Sequence, residues 1–282
     1  TLTIGQIDKD ERKTLYIAKE PNLVSKFKED FSDQESVDCI SWDDFVGVGE
    51  NVPKHSYSDF RIWVTERLNA KGEIGNSLVY IKKCWQVGTG YKKNLDIEKF
   101  ISNLYEELRI ITGYNSDEYK GLGIRQKLFW HDEKGKHLEI SQRLLYVFEQ
   151  YNLNLERMNV VDISLYIPEQ AKIQRALEGY ERVLFDESQD ISRGPLKVFF
   201  TALNDINLQG EIFCQATICF DNQQSMTDTI TSLPYIESCF NNVETHHLSE
   251  SYRSSGDILL WANNCLRVKN IIAGGIDGKG DY

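Results

Sequence analysis

Residues 182–190 read RVLFDESQD, a short apolar run that ends in a cluster of carboxylates and one amide. The apolar residues have high strand propensity, so the run predicts a buried β-strand whose carboxyl end carries Asp186 and Glu187. In open α/β sheets, ligands bind at the carboxyl ends of parallel strands. A solvated loop after a strand is an alternative explanation for the acidic residues. Two adjacent carboxylates also suit a magnesium–nucleotide site, with one group on the metal and one on the attacking water.

The composition limits the classes of protein and partner to consider. At 282 residues the chain can form one large domain or two modest ones, and no apolar run approaches the roughly eighteen residues of a membrane span. The net charge of −11 argues against a broad nucleic-acid-binding surface but leaves room for a narrow basic groove. Six cysteines without a CxxC pair predict buried, reduced thiols of a cytoplasmic or nuclear protein. Because Thr1 is not an initiator methionine, we expect an excised region of a longer protein.

Strand and helix patterns alternate towards both ends of the chain, which predicts a mainly parallel sheet of the α/β class. Pro21 suits the first turn of a helix, and Ser192 suits the position before one, with Pro195 in its first turn. The predicted strands cover residues 14–19, 180–186, 212–220 and about 243–248, and helices are predicted over about 21–31, after Ser192 and over about 255–267.

Between these two parts, residues 41–177 carry apolar side chains at helical spacing and predict an all-helical insertion. The aromatic members are candidates for stacking on nucleic-acid bases, but spacing of i, i+3 and i+4 is more typical of core packing. Gly121, Gly123 and Gly135 predict breaks between helices. The three apolar stripes are Phe60, Trp63, Val64 and Leu68; Ile97, Phe100, Ile101, Leu104, Leu108 and Ile111; and Ile140, Leu144, Val147, Phe148 and Tyr151.

Three polar clusters follow one another in the second α/β part. They are DESQD at 186–190, FDNQQ at 220–224 and LSESYRS at 248–254. In this order they resemble motifs II (DExQD), III (GDxxQ) and IV (LxxNYRS) of the UvrD/Rep-type superfamily 1 helicases, and the strand at 14–19 resembles that of motif Ia. The resemblance covers about residues 1–35 and 178–268.

The resemblance implies a fold and a domain organisation. It implies a RecA-like parallel sheet of the P-loop NTPase type, with the helical insertion in the place of subdomain 1B. Residues 1–40 and 178–250 would form the first RecA-like domain, and residues 41–177 the insertion. Residues 251–282 would begin a second, truncated RecA-like domain.

The resemblance also implies ATP and Mg²⁺ as cofactors and gives the site residues their roles. Asp186 would hold Mg²⁺, and Glu187 would also lie at the metal. Glu187 would orient and deprotonate the attacking water. Gln189 and Gln224 would sense the γ-phosphate, because an amide can both donate and accept a hydrogen bond.

Three further residues are implied on the nucleotide side. Arg253 would stabilise the charge of the transition state, while Asp221 and Tyr252 would contribute to nucleotide binding. Two simpler interpretations stay open, since Arg253 could pair with Glu250 on the surface and Gln224 could cap a helix.

The chain departs from the family pattern at the phosphates. No GxxxxGKS or GxxxxGKT occurs in the sequence, and Gly88-Thr89-Gly90 is followed by Tyr-Lys-Lys inside the helical insertion. The phosphate-binding loop either lies upstream of Thr1 or has been lost, so we expect weak ATP binding and negligible turnover by this chain alone. Phe220 replaces the glycine of motif III, and Met226 stands where the family often has a base-stacking aromatic.

Two functions therefore stand side by side. The first is part of an ATP-driven helicase or translocase motor that acts on single-stranded DNA or RNA. The second is a degenerate helicase-like domain that serves as a regulatory or protein-binding scaffold, with protein partners on the helical insertion. Neither function involves a membrane.

Overall fold

The computed structural model describes residues 12–49, 51–88, 97–122, 136–209 and 214–219, together with residues 237, 239 and 244–246. The chain separates into two compact units, residues 1–241 and 242–282, and all described elements lie in the first. No described helix combines the length and apolar character needed to cross a membrane. The elements are β1 (Thr14–Ala18), α1 (Pro21–Asp30), β2 (Val37–Ser41), α2 (Trp42–Phe45), α3 (Tyr57–Asn69), α4 (Glu73–Gly88), α5 (Ile97–Ile111), α6 (Ser116–Gly121), α7 (Lys136–Met158), α8 (Gln170–Leu177), β3 (Arg182–Asp186), a 3₁₀ helix (Ser188–Asp190), α9 (Arg193–Gln209) and β4 (Gln215–Ile218).

The described strands form one parallel sheet in the order β2-β1-β3-β4, which confirms the predicted α/β class. The register sets Ala18 opposite both Ser41 and Asp186, so three strand ends lie side by side. β2 was not predicted, because its sequence VDCIS has no clear apolar pattern and its residues are mostly half-buried. It pairs with β1 alone among the described strands.

Helices cover both faces of the sheet. One face packs against α2, α8 and α9, where the Trp42 ring stacks on Phe185 with centroids 5.1 Å apart. The other face packs against α1, where the Tyr16 and Phe27 rings stack at 3.8 Å. Because side chains alternate along a strand, Asp186 lies on the same face as Tyr16.

Helices α3 to α7, residues 57–158, form a separate hydrophobic core that we call the helical block. Phe60, Phe100 and Tyr151 are completely buried, which confirms that the predicted stripes are core residues and excludes these three rings from base stacking. The predicted break at Gly121 agrees with the end of α6, whereas Gly123 and Gly135 lie outside the described residues. Residues 42–48 and 173–177, inside the segment predicted as helical insertion, pack on the sheet instead.

Two helices of the block, α3 and α6, begin at residues that cap them. Ser56 and Asp59 form a capping box at α3, in which the Ser56 hydroxyl accepts from the Asp59 amide and the Asp59 carboxylate accepts from the Ser56 amide. Asn115 and Glu118 do the same at α6. The backbone groups at both helix starts are thereby satisfied from within the sequence.

Candidate functional site

Strand β3 ends at Asp186 and leads into a tight turn, residues 186–190, that we call the acidic turn. Glu187 adopts a left-handed backbone conformation with φ of 52° and ψ of 36°, and the 3₁₀ helix follows it. An L-residue in this conformation costs about 1–2 kcal/mol. The two adjacent carboxylates are therefore presented from very different backbone conformations.

The carboxylate of Asp186 is oriented by two hydrogen-bond donors. The Tyr16 hydroxyl donates to Oδ2 at 3.0 Å, and the Glu187 amide donates to Oδ1 at 3.0 Å. Burial, and then the nearby Asp186 charge, raise the pKa of Tyr16, so the phenol keeps its proton and remains a donor. Each carboxylate oxygen has more than one lone pair, so this arrangement fixes the group while leaving capacity for a cation.

Gln189 lies beside Glu187 and binds it directly. Its amide nitrogen Nε2 donates to Oε2 of Glu187, and Gln189 is 1% exposed. The structure thus brings together Asp186, Glu187 and Gln189, three of the residues predicted from the sequence. The buried amide holds the Glu187 carboxylate at the turn.

The turn is anchored to the neighbouring strand end through Cys219. The Ser188 hydroxyl donates to the Cys219 carbonyl at 2.9 Å, and the Cys219 amide donates to the Phe185 carbonyl at 2.7 Å. Burial, and then the Asp186 charge, raise the pKa of the Cys219 thiol to about 11. At neutral pH this thiol adds no further negative charge to a turn that already holds three carboxylates.

Three residues at the turn were missed in the sequence. They are Tyr16, Lys19 and Arg109. Lys19 Nζ and Arg109 Nη2 each donate to the Asp190 carbonyl at 3.3 Å. These contacts span 170, 171 and 81 residues along the chain, beyond the reach of any local pattern. Lys19 directly follows β1, so strand-end reasoning could have found it, and Arg109 interrupts the apolar end of α5.

The other predicted site residues, Asp221, Gln224, Tyr252 and Arg253, lie outside the described residues. In the described part of the chain, no group of three or more histidine, cysteine or acidic side chains could hold a metal ion. Carboxylate oxygens such as those of Asp186 and Glu187 are of the type that binds Mg²⁺, which usually keeps several water or phosphate ligands besides one or two carboxylates.

The phosphate side of the site has less support in the described residues. Gly88 ends helix α4, so the sequence Gly88-Thr89-Gly90 does not follow a strand of the sheet. Lys19 and Arg109, the cations at the turn, both bind a backbone carbonyl. The carboxylates of the acidic turn are therefore of the type that binds a hard cation. Lys19 and Arg109, which could bind a phosphate, donate to the Asp190 carbonyl instead.

Comparison of the chain with models of protein families found no match, and comparison with curated proteins found none. The geometry of the acidic turn and the order of motifs in the sequence therefore carry the functional argument.

Proposed function

We propose that this chain is part of the first motor domain of an ATP-driven helicase or translocase of the UvrD/Rep type, with a RecA-like sheet and a 1B-like helical insertion. One observation carries the proposal. Asp186, Glu187 and Gln189 gather in a single strained turn at the carboxyl end of an interior parallel strand. Strained backbone at a cluster of polar side chains is typical of functional sites.

The residues of the turn divide the chemistry between them. Asp186, oriented by Tyr16, would hold the metal, and Glu187, held by the Gln189 amide, would accept the proton of the attacking water. A bound Mg²⁺ would neutralise part of the charge on the phosphates. Gln224 and Arg253 would contribute from motifs III and IV. A phosphate-binding loop outside these 282 residues would complete the site, so we expect the chain alone to bind ATP weakly.

The test is Mg²⁺-dependent ATP hydrolysis by the protein extended upstream of Thr1 to include such a loop, with and without single-stranded DNA or RNA. Replacing Glu187 by Gln keeps the size of the side chain but removes the base. We expect kcat to fall by roughly 10²- to 10⁴-fold while nucleotide binding persists. A protein with the loop but without Mg²⁺-dependent hydrolysis would exclude the motor function.

The second candidate is a degenerate helicase-like scaffold that binds proteins through the helical block. It is favoured by the absence of GxxxxGKS or GxxxxGKT from the sequence and by the use of Lys19 and Arg109 in binding the Asp190 carbonyl. It predicts that affinity for labelled single-stranded oligonucleotides is negligible. A log–log salt slope of several units in such a titration would contradict the scaffold, because this slope counts neutralised phosphates.

A further inference from the structure

Arg109 connects the helical block to the acidic turn. It lies in the last turn of α5 and is 9% exposed. Its Nη2 donates to the Asp190 carbonyl at 3.3 Å, its Nε donates to the Ser192 hydroxyl at 3.1 Å, and its Nη1 pairs with Glu106 at 3.2 Å. The guanidinium is thereby bonded to the residue that closes the turn and to the residue before α9.

Ser192 extends this connection to residues 159–169, the return segment, which leads from the helical block back to the sheet. While accepting from Arg109, its hydroxyl donates to the Ser164 carbonyl at 2.6 Å, and Ser192 is 3% exposed. The Ser164 amide in turn donates to the buried Asp162 carboxylate at 3.1 Å. One hydroxyl thus links α5, the return segment and the start of α9.

The end of α5 and the start of α9 also approach each other closely at two glycines, Gly113 and Gly194. The Gly194 amide donates to the Thr112 hydroxyl at 3.3 Å. A Cβ atom added to Gly194 would lie 2.4 Å from the Thr112 carbonyl oxygen, and one added to Gly113 would lie 2.6 Å from Cβ of Arg193. The end of α5 and the start of α9 therefore form a close joint directly after the acidic turn.

We propose that Arg109 is a positioning residue through which the helical block fixes the acidic turn, so that loosening this joint loosens the turn. A buried guanidinium is costly unless its donors are bonded, so separating the block from the turn removes the acceptors of Arg109 Nη2 and Nε at Asp190 and Ser192 and leaves only the Glu106 pair. Only the consequence for metal binding rests on the proposed function. The mechanical link itself depends on the described contacts alone.

Hydrogen exchange measured by mass spectrometry on the full chain tests the link. The amides of Ser188, Asp190 and Ile191 are each hydrogen-bonded at the turn and report its opening. In Arg109→Ala we expect their protection to fall by roughly ten- to a hundredfold, because charge-assisted hydrogen bonds are lost. The matched control is Arg61→Ala, since Arg61 is an exposed arginine of the block that pairs with Glu98.

Locality separates positioning from general stability. In Arg109→Ala, exchange should rise at the turn and stay unchanged in the core of α7, and the control should match the wild type at the turn. Unchanged exchange at the turn, or an equal rise throughout the block, would overturn the proposal. If Arg109→Ala does not fold, Ser192→Ala tests the link in its place. This substitution removes the hydroxyl shared by Arg109 and Ser164 without leaving the cavity that loss of a large side chain leaves. It should also increase exchange at the turn.

Manganese binding, followed by electron paramagnetic resonance with Mn²⁺ as the probe, separates this inference from the proposed function. If Asp186→Asn abolishes Mn²⁺ binding, Arg109→Ala should weaken it by roughly tenfold or more through the loosened turn. Binding that Arg109→Ala leaves unchanged would contradict the positioning role. If the wild-type chain binds no Mn²⁺, the proposed metal site fails, while the exchange result still decides the link.

Discussion

Glu187 occupies a backbone conformation that favours glycine. Its φ of 52° is held by the Asp190 amide, which donates to its carbonyl at 3.1 Å, and by its own amide, which donates to Asp186 at 3.0 Å. Such strain persists where the surrounding structure over-determines the backbone. The strain is the consequence of placing a carboxylate where glycine would fit without cost.

This strain can be measured by comparing two substitutions that both remove the carboxylate. We expect Glu187→Gly to be more stable than Glu187→Ala by about 1 kcal/mol, because only alanine keeps the Cβ that disfavours the left-handed conformation. The free energies of unfolding from urea titrations provide the comparison. Equal stabilities would mean that the turn relaxes to a negative φ in solution.

At the scale of elements, the two chain connections between sheet and helical block are bonded to each other. The His55 amide donates to the Val161 carbonyl at 2.8 Å, and the Val161 amide donates to the Pro53 carbonyl at 2.9 Å. Beside them, Asp162 is 2% exposed and accepts from the hydroxyls of Tyr105 and Tyr151. Burial raises the pKa of Asp162 despite these donors. The segments that lead into and out of the helical block are therefore held together by one network of hydrogen bonds, which restricts how the block can move relative to the sheet.

The contact between α5 and α9 predicts a large effect from a single methyl group. We expect Gly194→Ala to destabilise the chain by roughly 1–3 kcal/mol, because the new Cβ would meet the Thr112 backbone at 2.4 Å and backbone cannot move aside as a side chain can. Gly121→Ala is the control, since a Cβ there meets nothing within 4 Å. Thermal unfolding of both variants measures the difference. Similar melting temperatures would show that α5 and α9 can separate enough to accommodate the added methyl group.

The elements were predictable where local pattern and burial agree. Strand β3 has a short apolar run and helix α5 a regular apolar stripe, and both formed where the spacing predicts them. Strand β2 depends on pairing with β1, which no local pattern contains. Helix α2 is a single turn whose Trp42 and Phe45 are buried against the sheet, so its place also follows from tertiary contacts.

At the site, the sequence predicts the residues that follow β3 directly, but it does not predict the residues that other strands and helices bring to the same place. Asp186, Glu187 and Gln189 are close together in the sequence, so one motif contains them. Tyr16 reaches Asp186 only because β1 and β3 are neighbours in the sheet, and Arg109 reaches the turn only through the packing of α5. The spacing of residues along the chain does not show which of them meet across the fold, even where one partner, such as Lys19, stands out by its position.

For the whole molecule, burial of thiols contributes to how the stability responds to alkaline pH. The five described cysteines are free, and Cys214 is 1% exposed. Burial raises the pKa of Cys214 from 9.0 to about 11, and the pKa of Cys39 and Cys219 likewise rises to about 11, with burial as the main cause. The folded chain therefore retains protons that the unfolded chain releases between these two pH values.

The sign of the effect follows from linkage. Because the folded-state pKa is raised, the stabilising contribution is complete below pH 9.0 and is lost as the pH rises through about 11. For Cys214 the loss should be about 1 kcal/mol by about pH 10. Urea titrations at about pH 8 and about pH 10 should show wild-type stability falling more than that of Cys214→Ala, which has no thiol to titrate at this position. An equal fall in both proteins would mean that water reaches the Cys214 thiol in the folded chain. The sheet would then open beside α9, where the Asn207 side chain is hydrogen-bonded to the Cys214 backbone.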